Sequence, residues 1–153
     1  MANTYSSIVI HAVFVVKYRK ALIDPSWKSK LIGVITELFL ETECPSIIVN
    51  GTSDHIHCLF RLKTSISVAG VMKIVKAKSS KWINENHFLT SRFEWQKGYS
   101  AFSCDYRKIQ GIMEYIKNQE IHHMESSVYE EQMILLNQHS ISYDSKYLFE
   151  DLL

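Results

Sequence analysis

His55 and His57 stand two residues apart in the run SDHIHCLF (53–60), with only Ile56 between them. On an extended strand, side chains two apart share a face and are separated by about 6.6–6.8 Å. Both imidazoles then project together, while Ile56 turns the other way into a core. Neutral imidazole is a common ligand of divalent transition ions, so a pair on one face can converge on one ion. Such a centre needs a further protein donor. In YIKNQ (115–119), Tyr115 and Gln119 are four apart. Helical periodicity stacks residues at this spacing on one face, which sets a phenol beside a neutral amide oxygen. Each pattern alone has an ordinary explanation: a solvent-facing histidine pair, and the polar face of an amphipathic helix. Together in one small domain, each on an element that suits it, they point to metal-assisted chemistry with a tyrosine at hand.

Other chemistries fit the chain less well. There is no H-E-x-x-H, no glycine-rich phosphate loop, no G-x-S-x-G and no pair of His-x-Ser/Thr motifs. His122 and His123 are adjacent, so on a helix they diverge by about 100° and make poor joint ligands. His11 falls on the same strand face as Val9 and Val13 and reads as a hydrogen-bonded core histidine. Cys44, Cys58 and Cys104 are odd in number and widely spaced, which argues against a disulfide framework or a thiolate zinc site and points to a reducing cytoplasm. No apolar run is long enough to span a bilayer, and the N-terminal residues lack the order of a signal peptide, so no membrane association is expected.

The 153 residues are one domain by size, and 46% apolar content supplies a core. The net charge of +1 is unevenly spread. Residues 125–153 carry six acidic side chains against Lys146, and the excess of basic residues lies in 1–124. The plain reading of the acidic end is a solvated tail; the sharper reading of the remainder is a body suited to a polyanion.

The elements that must position the candidate residues follow from periodicity. Residues 5–18 alternate as a strand, with Ile8, Ile10, Ala12, Phe14 and Val16 on one face. Asp24-Pro25-Ser26 starts a helix that carries Leu31, Ile32, Ile35, Leu38 and Phe39 at helical spacing up to Pro45. Residues 46–50 and 55–62 form a hairpin about a tight turn at 51–54. Ser67 caps a helix over 67–84. FEWQKGYSAFS (93–103) alternates about Lys97-Gly98 and predicts a second hairpin. Helices at 106–121 and 127–138 follow. This order suits an α+β ferredoxin-like (RNA-recognition-motif-like) antiparallel sheet with helices packed on one face, plus a C-terminal tyrosine helix. Residues 1–124 make the body of this unit, and residues 125–153 are its acidic helix and tail.

Four blocks in order, HAVFVVKYR, DHIHCLF, WQKGYSAFS and YIKNQEIHH, resemble the HUH-type (His-hydrophobe-His) single-tyrosine transposases of the insertion sequence 200/605 group. The resemblance runs from about residue 5 to residue 124 and implies that residues 1–124 are a catalytic domain. It implies an enzyme that cleaves and rejoins single-stranded DNA at hairpin-marked element ends, through a 5′-phosphotyrosine. It implies His55, His57 and Gln119 as ligands of Mg²⁺ or Mn²⁺, and Tyr115 as the nucleophile. It implies a homodimer in which the tyrosine helix of one subunit can complete the histidine site of the other, in a prokaryotic cytoplasm. Ser53 stands where the family commonly has proline, and Cys58 where leucine is usual. Residues beyond 124 have no counterpart. Lys17, Arg19, Lys20, Lys73 and Lys76 are the candidate phosphate contacts, and Trp95, Tyr99 and Phe102 serve packing before base stacking. The alternative from another class is a non-catalytic or domesticated hairpin-binding protein of the same fold.

Overall fold

The computed structural model describes residues 3–121 and 127–142. Its first strand, β1 (Val9–Val15), is shorter than the alternating run, because positive φ angles at Tyr18 and Arg19 turn the chain after Val16. Helix α1 (Pro25–Glu41) begins where the Asp24 side chain accepts the Ser26 N–H at 2.8 Å, with Pro25 in the first turn, where a missing N–H is harmless. Strands β2 (Ser46–Gly51) and β3 (His55–Arg61) make the expected hairpin. Ser67 caps α2 (Val68–Glu85) by accepting from the Gly70 N–H.

The sheet is antiparallel in the order β2-β3-β1-β4, where β4 is Ser100–Ser103. That order, with α1 and α2 as crossovers, is the ferredoxin-like arrangement. Strand alternation divides the side chains between two faces. Ile10, Ala12, Phe14 and Val16 of β1 and Ile56, Cys58 and Phe60 of β3 pack on α1 and α2 in the main core. Val9 of β1 and Leu59 of β3 lie on the opposite face and pack on Ile116 of α3 (Ile109–Lys117). Helix α4 (Val128–Gln138) adds a small cluster on Val15. His11, His55 and His57 belong to this second, thinly covered face.

The second expected hairpin is not present. Trp95 bridges Val16 of β1, and β4 pairs with β1 further along, so 95–103 forms one interrupted edge run beside β1. The loop 96–99 that interrupts it contains Gly98 at φ 81. The Lys97-Gly98 dipeptide makes a bulging excursion instead of the expected reversal. The tyrosine helix also differs from the continuous 106–121 helix. A 3-10 turn (Tyr106–Lys108) precedes α3, and Asn118 (φ −98, ψ 25) breaks the helix before the turn that carries Gln119. His122 and His123 lie outside the described residues. Among those described, no helix is long and apolar enough to cross a membrane.

Candidate metal and tyrosine site

The register of β3 on β1 sets the histidines. Val15 pairs with His55, Val13 with His57 and His11 with Leu59, so His11 is the diagonal same-face neighbour of His57. His11 Nε2 and His57 Nδ1 are 2.8 Å apart in a fully buried contact. His55 Nδ1 donates to Asp54 Oδ1 at 2.6 Å, and Thr52 Oγ1 stands 3.0 Å from the same nitrogen. His55 and His57 therefore each have Nδ1 engaged by a protein partner and Nε2 turned toward a common region. A ligating histidine is oriented this way by its supporting shell.

Three other side chains meet there. Gln119 Oε1 is 3.0 Å from His55 Nε2, and Gln119 is fully buried. The Tyr115 ring lies 5.8 Å from the His57 ring, edge-on, within the same chain. Its position is fixed by Asn50 of β2, whose amide donates to the Ile116 and Lys117 carbonyls at 2.9 and 3.1 Å and so ties the end of α3 to the sheet. The third is Glu131 of α4, 3% exposed, whose Oε2 stands 3.3 Å from His55 Nε2 and 3.4 Å from His57 Nε2. Donor atoms of His55, His57 and Glu131 all lie within 4.8 Å of one another. A cleft of about 1050 Å³, lined in part by His11, Phe102, Tyr115, Glu131 and His139, opens onto the group.

The electrostatics fit a cation position. Burial alone would depress the His55 pKa, but the Asp54 and Glu131 carboxylates outweigh it and raise it to about 9. Burial would raise the Glu131 pKa, and the two histidines overturn that and hold the carboxylate ionised. The Tyr115 phenol is pushed up, first by burial and then by the Glu131 carboxylate, so it stays protonated without nearby positive charge. His11 is pushed down to about 3, chiefly by burial and then by His57, and remains neutral. Convergent imidazole nitrogens, an amide oxygen and an ionised buried carboxylate are a donor set that suits a divalent ion such as Mn²⁺ or Mg²⁺.

All four residues singled out from the sequence for the chemistry thus come together in one chain. Glu131 was missed, because the acidic end reads as a solvated tail. A weak signal was present: Val128 and Leu136 share its buried helix face, so Glu131 and Gln132 are polar residues set between apolar ones. The basic candidates are spread out. Lys17 pairs with Glu94 at 3.4 Å, Arg19 lies over Tyr129, Lys20 lies beside Tyr18, and Lys73 is exposed. The Lys76 ammonium donates to the Gln96 carbonyl at 2.8 Å and to the Gly98 carbonyl, which braces the edge loop. Trp95 and Phe102 are buried, the former donating to Ser79 Oγ, whereas Tyr99 is 39% exposed.

A ferredoxin-like sheet with a histidine pair, a tyrosine and an amide gathered on its thinly covered face defines the class to which this chain must be compared. Residues 4–119 match the family model described as "Transposase IS200 like", and the chain belongs to that family. The fold is shared with a candidate transposase from Deinococcus radiodurans R1, at 16% identity and TM-score 0.60 over 78% of this chain and 96% of that one. It is shared also with a REP-associated tyrosine transposase bound to a REP hairpin, at 12% identity and TM-score 0.60 over 80% and 73%. No curated protein matches the chain.

Proposed function

We propose that this transposase cleaves and rejoins single-stranded DNA at hairpin-marked ends, with Tyr115 as nucleophile and His55, His57 and Gln119 holding a divalent ion. The observation that carries the reading is the approach of Tyr115 to two histidines whose Nε2 atoms converge. An ion bound there supplies Lewis-acid stabilisation of charge on the scissile phosphate. The Tyr115 oxygen attacks phosphorus as the P–O3′ bond breaks, and the phenol proton ends on the departing 3′ oxygen, so that a 5′-phosphotyrosine and a 3′-hydroxyl form. The new ester retains the phosphodiester bond, so a second 3′-hydroxyl can reverse the step on another end without ATP. Asn50 fixes the end of α3, and Asp54 and His11 hold the two imidazoles, so the reacting groups need little reorganisation.

Phosphates of the hairpin are assigned to Lys17, Arg19, Lys20 and Lys73; Lys76 contributes by bracing the loop beside β4. A homodimer is the expected assembly from the family resemblance, and residues 1–124 with α4 act as a single catalytic unit. The test is cleavage of a labelled hairpin-bearing single strand across a Mn²⁺ and Mg²⁺ titration. His55→Ala and His57→Ala are expected to lose metal-dependent cleavage while binding the hairpin near normally. Equal cleavage by wild type and variants at every metal concentration would refute the assignment.

A further inference from the structure

We propose that Glu131 is the anionic ligand of the metal centre, supplied by α4 of the same chain from outside the segment shared with the family. The inference rests on the metal reading above and extends it. The family match ends at residue 119, so α4 lies beyond it. Yet α4 delivers a carboxylate to the point on which both Nε2 atoms converge, at 3.3 and 3.4 Å.

Two desolvation arguments meet at this point. The expected ligands, two imidazoles and an amide, are all neutral. A dication held by them in a buried site keeps its full charge in a medium that penalises it. Glu131 has the converse problem. It is 3% exposed, and the groups around it are His55, His57 and Tyr115, which the metal chemistry itself engages. Its charge partners there are the two histidines, both of which must be neutral at Nε2 to ligate. A cation at the convergence point resolves both problems: it gives the carboxylate a counter-charge and gains an anionic oxygen. Carboxylate oxygen also moves the set toward harder ions such as Mn²⁺ and Mg²⁺.

The placement of Glu131 is built, not incidental. Ser127 caps α4 by accepting the Glu130 N–H at 3.2 Å. Val128 is buried against Val15, and Ser100 Oγ donates to Gln132 Oε1 beside it. These contacts on either side of Glu131 fix the rotation of the helix that aims the carboxylate inward. One consequence is that His55, His57, Gln119 and Glu131 form a complete ligand set without a second subunit.

The experiment is calorimetric Mn²⁺ titration of the full chain without DNA, on wild type, Glu131→Gln, Glu131→Asp, Glu130→Gln and His55→Ala, each checked for folding by circular dichroism. Loss of a supporting residue around a bound metal costs at least about tenfold in affinity, and loss of a direct ligand should cost no less. Glu131→Gln is expected to bind at least about tenfold more weakly, Glu131→Asp to recover part of the loss, the exposed Glu130→Gln to match wild type, and His55→Ala to lose binding. Wild-type affinity in Glu131→Gln, with binding lost in His55→Ala, would overturn the role of Glu131 and leave the metal site standing. Wild-type affinity in His55→Ala would overturn the metal site and this inference with it. An equal loss in Glu130→Gln and Glu131→Gln would assign the effect to the general negative charge of α4 and also overturn it.

Discussion

Replacing His11 by phenylalanine tests how the His57 nitrogen is aimed. For His57 Nε2 to offer its lone pair to an ion, Nδ1 must carry the proton, and that proton is donated to His11 Nε2 across 2.8 Å. His11 is a sound acceptor because burial keeps it neutral, with its pKa pushed down to about 3. Phenylalanine preserves the ring, its stacking 5.1 Å from His57 and its contact with Phe102, and removes only the acceptor. A buried donor left unsatisfied costs about 1–3 kcal/mol, partly offset here by the greater apolar burial of phenylalanine. Folding stability is therefore expected to fall by about 1 kcal/mol, read as a lower urea midpoint. The effect on metal is expected to be larger. Once the tautomer and ring orientation are no longer fixed, affinity should drop about 10–100-fold, which is about 1.4–2.7 kcal/mol. His11→Gln, which retains an acceptor oxygen, should recover most of it. The assay is Mn²⁺ titration calorimetry beside urea unfolding. A His11→Phe variant that binds Mn²⁺ like wild type would refute the orienting role, whatever its stability.

Two further outcomes follow from the same geometry. A Cβ added at Gly51 would collide with the His55 carbonyl oxygen and stand 2.9 Å from Ile56 Cδ1, so Gly51→Ala must shift the hairpin that carries the histidines; a loss of about 1–3 kcal/mol is expected, and an unchanged urea midpoint would contradict it. Light scattering at micromolar protein, with and without hairpin DNA, should give a dimer mass; a monomer mass in both conditions would remove the homodimer from the account.

The sheet and its first two helices were legible because their signals are local and mutually consistent. Asp24-Pro25 and Ser67 mark helix starts, and the alternation of β1 and β3 assigns Ile56 and Phe14 to one face and His55, His57 and His11 to the other. The shared face of His55 and His57 was legible for the same reason, two-residue spacing on a strand being a short-range fact, whereas Tyr115 and Gln119 approach the histidines across a break at Asn118 that the helical pattern did not show. What escaped was set by tertiary pairing. Whether 95–103 folds back on itself or continues along β1 is decided by hydrogen bonds to a strand some 80 residues earlier in the chain, from the Gln96 N–H to the Val15 carbonyl and from the Lys17 N–H to the Glu94 carbonyl. The destination of Glu131 is likewise invisible locally. An acidic residue in an acidic segment reads as solvated, and only the docking of α4 carries it onto the histidines.

Tyr115 is the pivot of the proposed chemistry, and one measurement tests it most directly. Wild type and Tyr115→Phe are incubated with labelled single-stranded hairpin DNA and Mn²⁺, resolved on a denaturing gel, and any adduct is digested and mapped by mass spectrometry. The ring is retained in the variant, so packing against His57 and helix propensity change little. Wild type should give a covalent adduct carried as a 5′-phosphotyrosine at position 115, on single-stranded substrate and not on duplex, and Tyr115→Phe should bind the hairpin and give none. An adduct that persists in Tyr115→Phe, or one that maps to Tyr99 or Tyr106, would contradict the assignment of the nucleophile.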